Sequence, residues 1–160
     1  KDTRPFIIGH PDYLWTQIPA RDGVAHGGIK RSGRAPNCSY FMNWKRTEDK
    51  IIWDCEVGST GTYEISIHYA LPKGDEGTVF ELSHNQSKIQ YTITEPHEVQ
   101  NRGHENDRVT RRESYVKDFK EVKIGETKLN KGKGELTLRA LEIPGDTSIE
   151  FRLMMLKRIQ

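Results

Sequence analysis

Beyond residue 50 the chain alternates hydrophobic and polar positions, most clearly in IIWDCEVGSTGTYEISIHYAL at Ile51–Leu71. Ile51, Trp53, Cys55 and Val57 share one face, against Ile52, Asp54 and Glu56. Tyr63, Ile65, Ile67 and Tyr69 then alternate with Glu64, Ser66 and His68. Successive side chains leave opposite faces of an extended backbone, so a period of two predicts two half-buried strands. Gly58–Thr62 between them holds two glycines and three hydroxyl residues. Such a linker suits a tight turn, and the unit reads as an antiparallel hairpin.

The same period recurs downstream. Val79–Ser83 and Ile89–Thr94 flank a polar turn at His84–Lys88, and Tyr115–Lys120 and Glu121–Ile124 follow. Glu135–Leu141 sets Leu136, Leu138 and Ala140 on one face, and Ile149–Leu156 sets Ile149, Phe151, Leu153 and Met155 on one face. Lys131–Gly134 and Pro144–Asp146 supply turns before these last two strands. No long segment holds a helical period. The expectation is all-β: about eight short antiparallel strands in a two-sheet sandwich or jelly roll.

Two regions depart from the pattern. Lys1–Lys50 is rich in Gly, Pro, Arg and Asn and reads as long loops around two short strands. Residues 95–114 (EPHEVQNRGHENDRVTRRES) carry almost no apolar side chain, and Pro96 and Gly103 argue against a helix there. At 160 residues the chain is expected to be one domain, 1–160. It starts at Lys1 without a methionine, which reads as a domain excised from a larger protein.

Composition narrows the classes of function. The formal charge is +2, with Lys and Arg interspersed among acids, which argues against nucleic acid. No apolar run approaches the ~20 residues of a membrane span. Cys38 and Cys55 lack metal-site spacing, and both a Cys38–Cys55 disulfide and a buried free thiol at Cys55 fit. Asp12, Asp22, Asp54 and Glu56 are available to a structural calcium ion, though their spacing does not define a site; no other cofactor is expected.

The frame WDCEVGSTGTYEISIHYA followed by KIGETKLNKGKGELTLRALEIPG resembles the galactose-binding-like jelly rolls used as carbohydrate-binding modules, with Gly61-Thr62-Tyr63 and Lys131–Leu138 at the matching positions. Across nearly the whole chain, Pro19–Trp44, His104–Lys120 and Leu138–Gly145 resemble the accessory domain C-terminal to secreted sulfatases of planctomycetes and Bacteroidetes, of the arylsulfatase and N-sulfoglucosamine or N-acetylglucosamine-6-sulfatase types. That resemblance implies a periplasmic or cell-surface parent acting on sulfated glycans, with the sulfatase catalytic domain as a partner in the same chain. The sulfatase signature, Cys or Ser followed by x-Pro-x-Arg, is absent: Cys38 is followed by Ser-Tyr-Phe-Met and Ser32 by Gly-Arg-Ala-Pro. No carboxylate pair or Ser/His/Asp arrangement stands out either, so the domain is expected not to be an enzyme.

Two sets of residues suit a glycan. Sugar rings stack on flat aromatic faces, and Tyr13, Trp15, Tyr40, Phe41 and Trp44 lie in the loop-rich N-terminal part; Trp44 reads rather as core, and Phe41 fits either a site or a cover over the core's edge. The polar segment 95–114 offers Arg102, His104, Asp107, Arg108, Arg111 and Arg112, and guanidinium forks suit sulfate or uronate. The same segment also reads as an internal salt-bridge network. The expected function is binding of a sulfated or acidic glycan; the alternative is a structural domain that packs on and shapes the catalytic cleft.

Overall fold

A computed structural model describes residues 4–33, 39–98 and 119–160. Among them the chain forms twelve strands and one short 3-10 turn, Ala20–Asp22. The strands are β1 (Phe6–Ile8), β2 (Trp15–Pro19), β3 (Val24–His26), β4 (Lys30–Arg31), β5 (Phe41–Met42), β6 (Lys50–Val57), β7 (Gly61–Ala70), β8 (Val79–His84), β9 (Ser87–Thr92), β10 (Lys120–Leu129), β11 (Gly132–Glu142) and β12 (Glu150–Arg158). They build two sheets packed face to face. The first runs β1-β6-β11-β8-β9, with β3 also on β6; the second runs β10-β7-β12-β5-β4, with β2 also on β12. The architecture is the expected all-β sandwich.

The Ile51–Leu71 unit is not a hairpin. β6 and β7 belong to opposite sheets and do not pair. β6 is bonded to β11 on one side and to β1 and β3 on the other, while β7 lies between β10 and β12. Gly58–Thr60 therefore arches across the sandwich, held where the Gly58 N–H donates to Ile8 O (2.8 Å) and the Lys131 N–H to Thr60 Oγ1 (2.8 Å). The alternating faces are right even though the pairing is not. Ile51, Trp53, Cys55 and Val57 from one sheet meet Tyr63, Ile65, Ile67 and Tyr69 from the other, all fully or almost fully buried.

Other expectations shift with local geometry. In β12 the register against β7 slips between Phe151 and Leu153, and this bulge reverses the alternation beyond it. Phe151, Met154 and Leu156 are buried, while Leu153 and Met155 turn to the outer face. Among the described residues of the N-terminal fifty, five strands precede β6 rather than two, each too short to show a period. β1 runs parallel to β6, the one parallel pairing among the described strands. Lys131–Gly134 is not all turn, since Gly132 already opens β11. Of the Tyr115–Lys120 expectation only Phe119 and Lys120 fall within the described residues; Glu121–Ile124 is part of the longer β10.

Trp44 and Trp53 anchor the core. Trp44 meets Phe80 edge-on at 5.3 Å between centroids, and Trp53 meets Phe151 at 5.6 Å. Cys55 is a buried free thiol, and burial beside Asp54 pushes its pKa up to about 12, which keeps it protonated and unreactive. Cys38 lies outside the described residues. His84, expected in a turn, instead closes β8 on its inward face with Phe80 and Leu82.

Burial holds the His84 imidazole below its ordinary value, while backbone hydrogen bonds at Cys55 and Gly134 pull the other way. The folded chain thus prefers neutral His84, and the unfolded chain takes up the proton first, near pH 6.5. Stability from this group is full above that pH and is lost as pH falls toward the lower folded value. The melting temperature should therefore drop between pH 7 and pH 5, and His84→Gln should flatten that part of the profile. An unchanged slope in the variant assigns the pH dependence elsewhere.

Candidate functional site

Tyr13 and Trp15 are the two strongly exposed aromatic side chains among the described residues, at 66% and 52%. Tyr13 follows a turn in which its N–H donates to His10 O (3.0 Å), and its ring lies 5.2 Å from the His10 ring. Trp15 opens β2. Burial alternates along that strand, so Trp15 and Gln17 face solvent while Thr16 and Ile18 face the core. Pairing carries this outer face across the second sheet: Trp15 stands opposite Lys157, itself opposite Glu64, and Gln17 opposite Met155, itself opposite Ser66. The Lys157 ammonium sits 5.1 Å from the indole centroid, a cation–π contact on one ring face. The result is an exposed indole on the outer face of the second sheet, bordered by an amide, an ammonium and a carboxylate.

A second feature lies at the opposite end. The segments after β5 and β7 and before β12 enclose a cleft of about 470 Å3 whose lining includes Met42, Asn43, Leu71, His97, Glu98 and Ser148. Two reciprocal backbone hydrogen bonds between Leu71 and His97 (3.0 and 2.9 Å) form one wall. On the other, the Ser148 N–H donates to Trp44 O (2.7 Å), and Thr147 Oγ1 donates to the same oxygen (3.0 Å). Ser148 is 1% exposed and its hydroxyl has no partner among the described residues, so this cleft offers a buried polar group of the kind that fixes a ligand's orientation. Asn43 holds a positive φ of 62° while its amide donates to Gly28 O (2.8 Å). Nothing in the sequence pattern singled out Asn43 or Ser148, since isolated polar residues in loops carry no periodic signal.

Trp15 is level with Glu64 of β7, and His97 is bridged to Leu71 at the other end of that strand. Seven residues of strand, about 23 Å, separate the two levels. Arg102, His104, Asp107, Arg108, Arg111 and Arg112 lie outside the described residues; the flanking Glu98 borders the cleft. Among the carboxylates available for calcium, Asp12 stands between β1 and β2, Asp22 in the 3-10 turn, and Asp54 and Glu56 on β6. Among the described residues no three His, Cys, Asp or Glu side chains gather as a metal site.

No family model matches the chain, and none of the curated proteins does. Solved structures do. The chain is similar to the mosquito-larvicidal Cry4Aa toxin from Bacillus thuringiensis at 18% identity and a TM-score of 0.71, over 98% of this chain and 25% of that one. It is similar to the C-terminal CBM6 of LamC, a marine laminarinase from Zobellia galactanivorans, at 9% identity and a TM-score of 0.61, over 90% of this chain and 99% of that one. A CBM6 module of Cellvibrio mixtus lichenase 5A, in complex with cellotriose, matches at 12% identity and a TM-score of 0.59, over 91% and 98%. These modules share its fold. The chain spans only a quarter of the toxin's length but nearly the whole of either module.

The cleft wall at Asn43 carries a direct consequence. A side chain with a Cβ is strained at positive φ, by roughly 1–2 kcal/mol, and asparagine offsets this with its hydrogen bond. Asn43→Ala should lower stability by about 1–2 kcal/mol in urea unfolding, and Asn43→Gly by less. Equal losses show that the hydrogen bond alone matters.

Proposed function

We propose that this chain is a non-catalytic accessory domain that binds carbohydrate, with Trp15 and Tyr13 as its stacking surfaces. The carrying observation is their exposure: Trp44 and Trp53 are buried in the core, while these two rings are left in water. A half-exposed indole presents apolar area to the C–H face of a sugar, and Gln17, Glu64 and Lys157 border it with groups for hydroxyls. The fold shared with CBM6 modules, one of them solved with cellotriose, supports the reading.

The preferred glycan in this reading is sulfated or uronic. Arg102, Arg108, Arg111 and Arg112, with His104 and Asp107, supply the oxyanion partners, and the resemblance to the accessory domains of secreted sulfatases supplies the context: a periplasmic or cell-surface parent whose catalytic domain this module accompanies.

One observation favours the alternative, a structural domain packed on that catalytic domain. Ile7, Leu14 and Ile159 are exposed along with Tyr13 and Trp15, apolar side chains that a covering domain could bury. Affinity electrophoresis of the domain in gels containing neutral, sulfated or uronic polysaccharides separates the two readings. Carbohydrate binding predicts retardation by an acidic polysaccharide, weakened about fivefold to thirtyfold in Trp15→Ala, the equivalent of about 1–2 kcal/mol. Unretarded migration in every gel at millimolar sugar leaves packing as the function.

A further inference from the structure

Along one edge the two sheets part. β3 borders the first sheet there and β4 the second, and the gap between them, about 530 Å3, is lined by Arg21, Asp22, Val24, Ala25, Arg31 and Phe41. It is separate from both the Trp15 face and the end cleft.

Its most notable occupant is the Arg31 guanidinium, held at three points. Nη1 donates to Ser39 Oγ (3.4 Å), Nη2 donates to Gly23 O (3.3 Å), and the group lies over the Phe41 ring, 4.9 Å from the centroid. Among the described residues it has no carboxylate partner. Arg21 lines the same gap, with Asp22 Oδ2 4.0 Å from its Nε. Two guanidiniums thus line one gap. A fixed fork loses less freedom on gripping an oxyanion than a free one does.

The core fixes this arrangement. The Trp53 indole N–H donates to Pro19 O (3.3 Å), and the Gly23 N–H donates to Ala20 O (2.9 Å), seating the 3-10 turn on the tryptophan. A Cβ on Gly23 would stand 2.8 Å from the indole, so only glycine lets the backbone lie this close. That close approach is what brings Gly23 O within reach of Arg31. Val24, 59% exposed, and Ala25 add an apolar wall beside the charges.

We infer that this gap binds the sulfate or carboxylate group of an acidic sugar, with Arg31 as anchor, Arg21 as second donor and Val24 as the wall for the sugar's carbon skeleton. The inference rests on the carbohydrate reading for the carrier of the anion, not for the anion itself. It gives acidic selectivity a place within the sheet edges, independent of residues 95–114.

Sodium sulfate and sodium glucuronate, each titrated against the 160-residue chain at constant ionic strength set with chloride, test it through the arginine Nε–H signals in 15N NMR. Saturable shifts of Arg31 and Arg21 with either anion are expected, weakened about tenfold or more in Arg31→Gln and unchanged in Lys88→Gln on the far edge. Amide spectra of the variants confirm that they fold. Linear shifts matching those with chloride, or equal saturation in Arg31→Gln, overturn the site. If neutral and acidic polysaccharides retard the chain but neither anion saturates, the gap is wrong and carbohydrate binding stands. If an anion saturates at Arg31 while no polysaccharide retards the chain, the site stands and the carbohydrate reading falls.

Discussion

The structure depends on one packing event: the inward row of β6 closing on the inward row of β7 across the sandwich. Trp53 stands at its centre, against Phe151 of the opposite sheet, and its indole N–H reaches Pro19 O. Removing a buried tryptophan of this kind costs about 3–5 kcal/mol, a large share of the stability of a single domain. The consequences run outward. The turn at Ala20–Gly23 rests on the indole, Arg31 is tied to that turn, and the gap between the sheet edges takes its shape from both.

A sandwich closed this way leaves three kinds of surface to carry function. The outer face of the second sheet holds Trp15, the end of the sandwich forms a cleft walled by loop backbone, and the parted edge holds the Arg31 and Arg21 guanidiniums. In the proposed reading they take the apolar ring face, the hydroxyls and the anion of an acidic oligosaccharide.

The alternation of residues 51–57 and 63–69 correctly assigned the buried faces, because burial is a local property of each strand. It misassigned their neighbours. A short glycine-containing linker is compatible with a hairpin and with an arch between sheets, and only the partners competing for each strand edge decide. The β12 bulge had the same effect at smaller scale: one extra residue moved Leu153 and Met155 out and Met154 and Leu156 in. Trp15 was recognisable as a candidate because a tryptophan in a polar, loop-like stretch is unusual. Arg31 was not, since its meaning comes from Gly23, Ser39 and Phe41, which only the fold assembles.

Tryptophan quenching tests the central claim most directly. Of the three tryptophans, Trp44 and Trp53 are buried and Trp15 is open, so acrylamide should quench essentially one emitter. With a saturating sulfated or uronic polysaccharide, that emitter should become protected and its emission should shift to the blue as the sugar covers the indole. Unchanged quenching and emission in the presence of a polysaccharide that does bind the chain would contradict the assignment of Trp15 as the sugar-stacking surface.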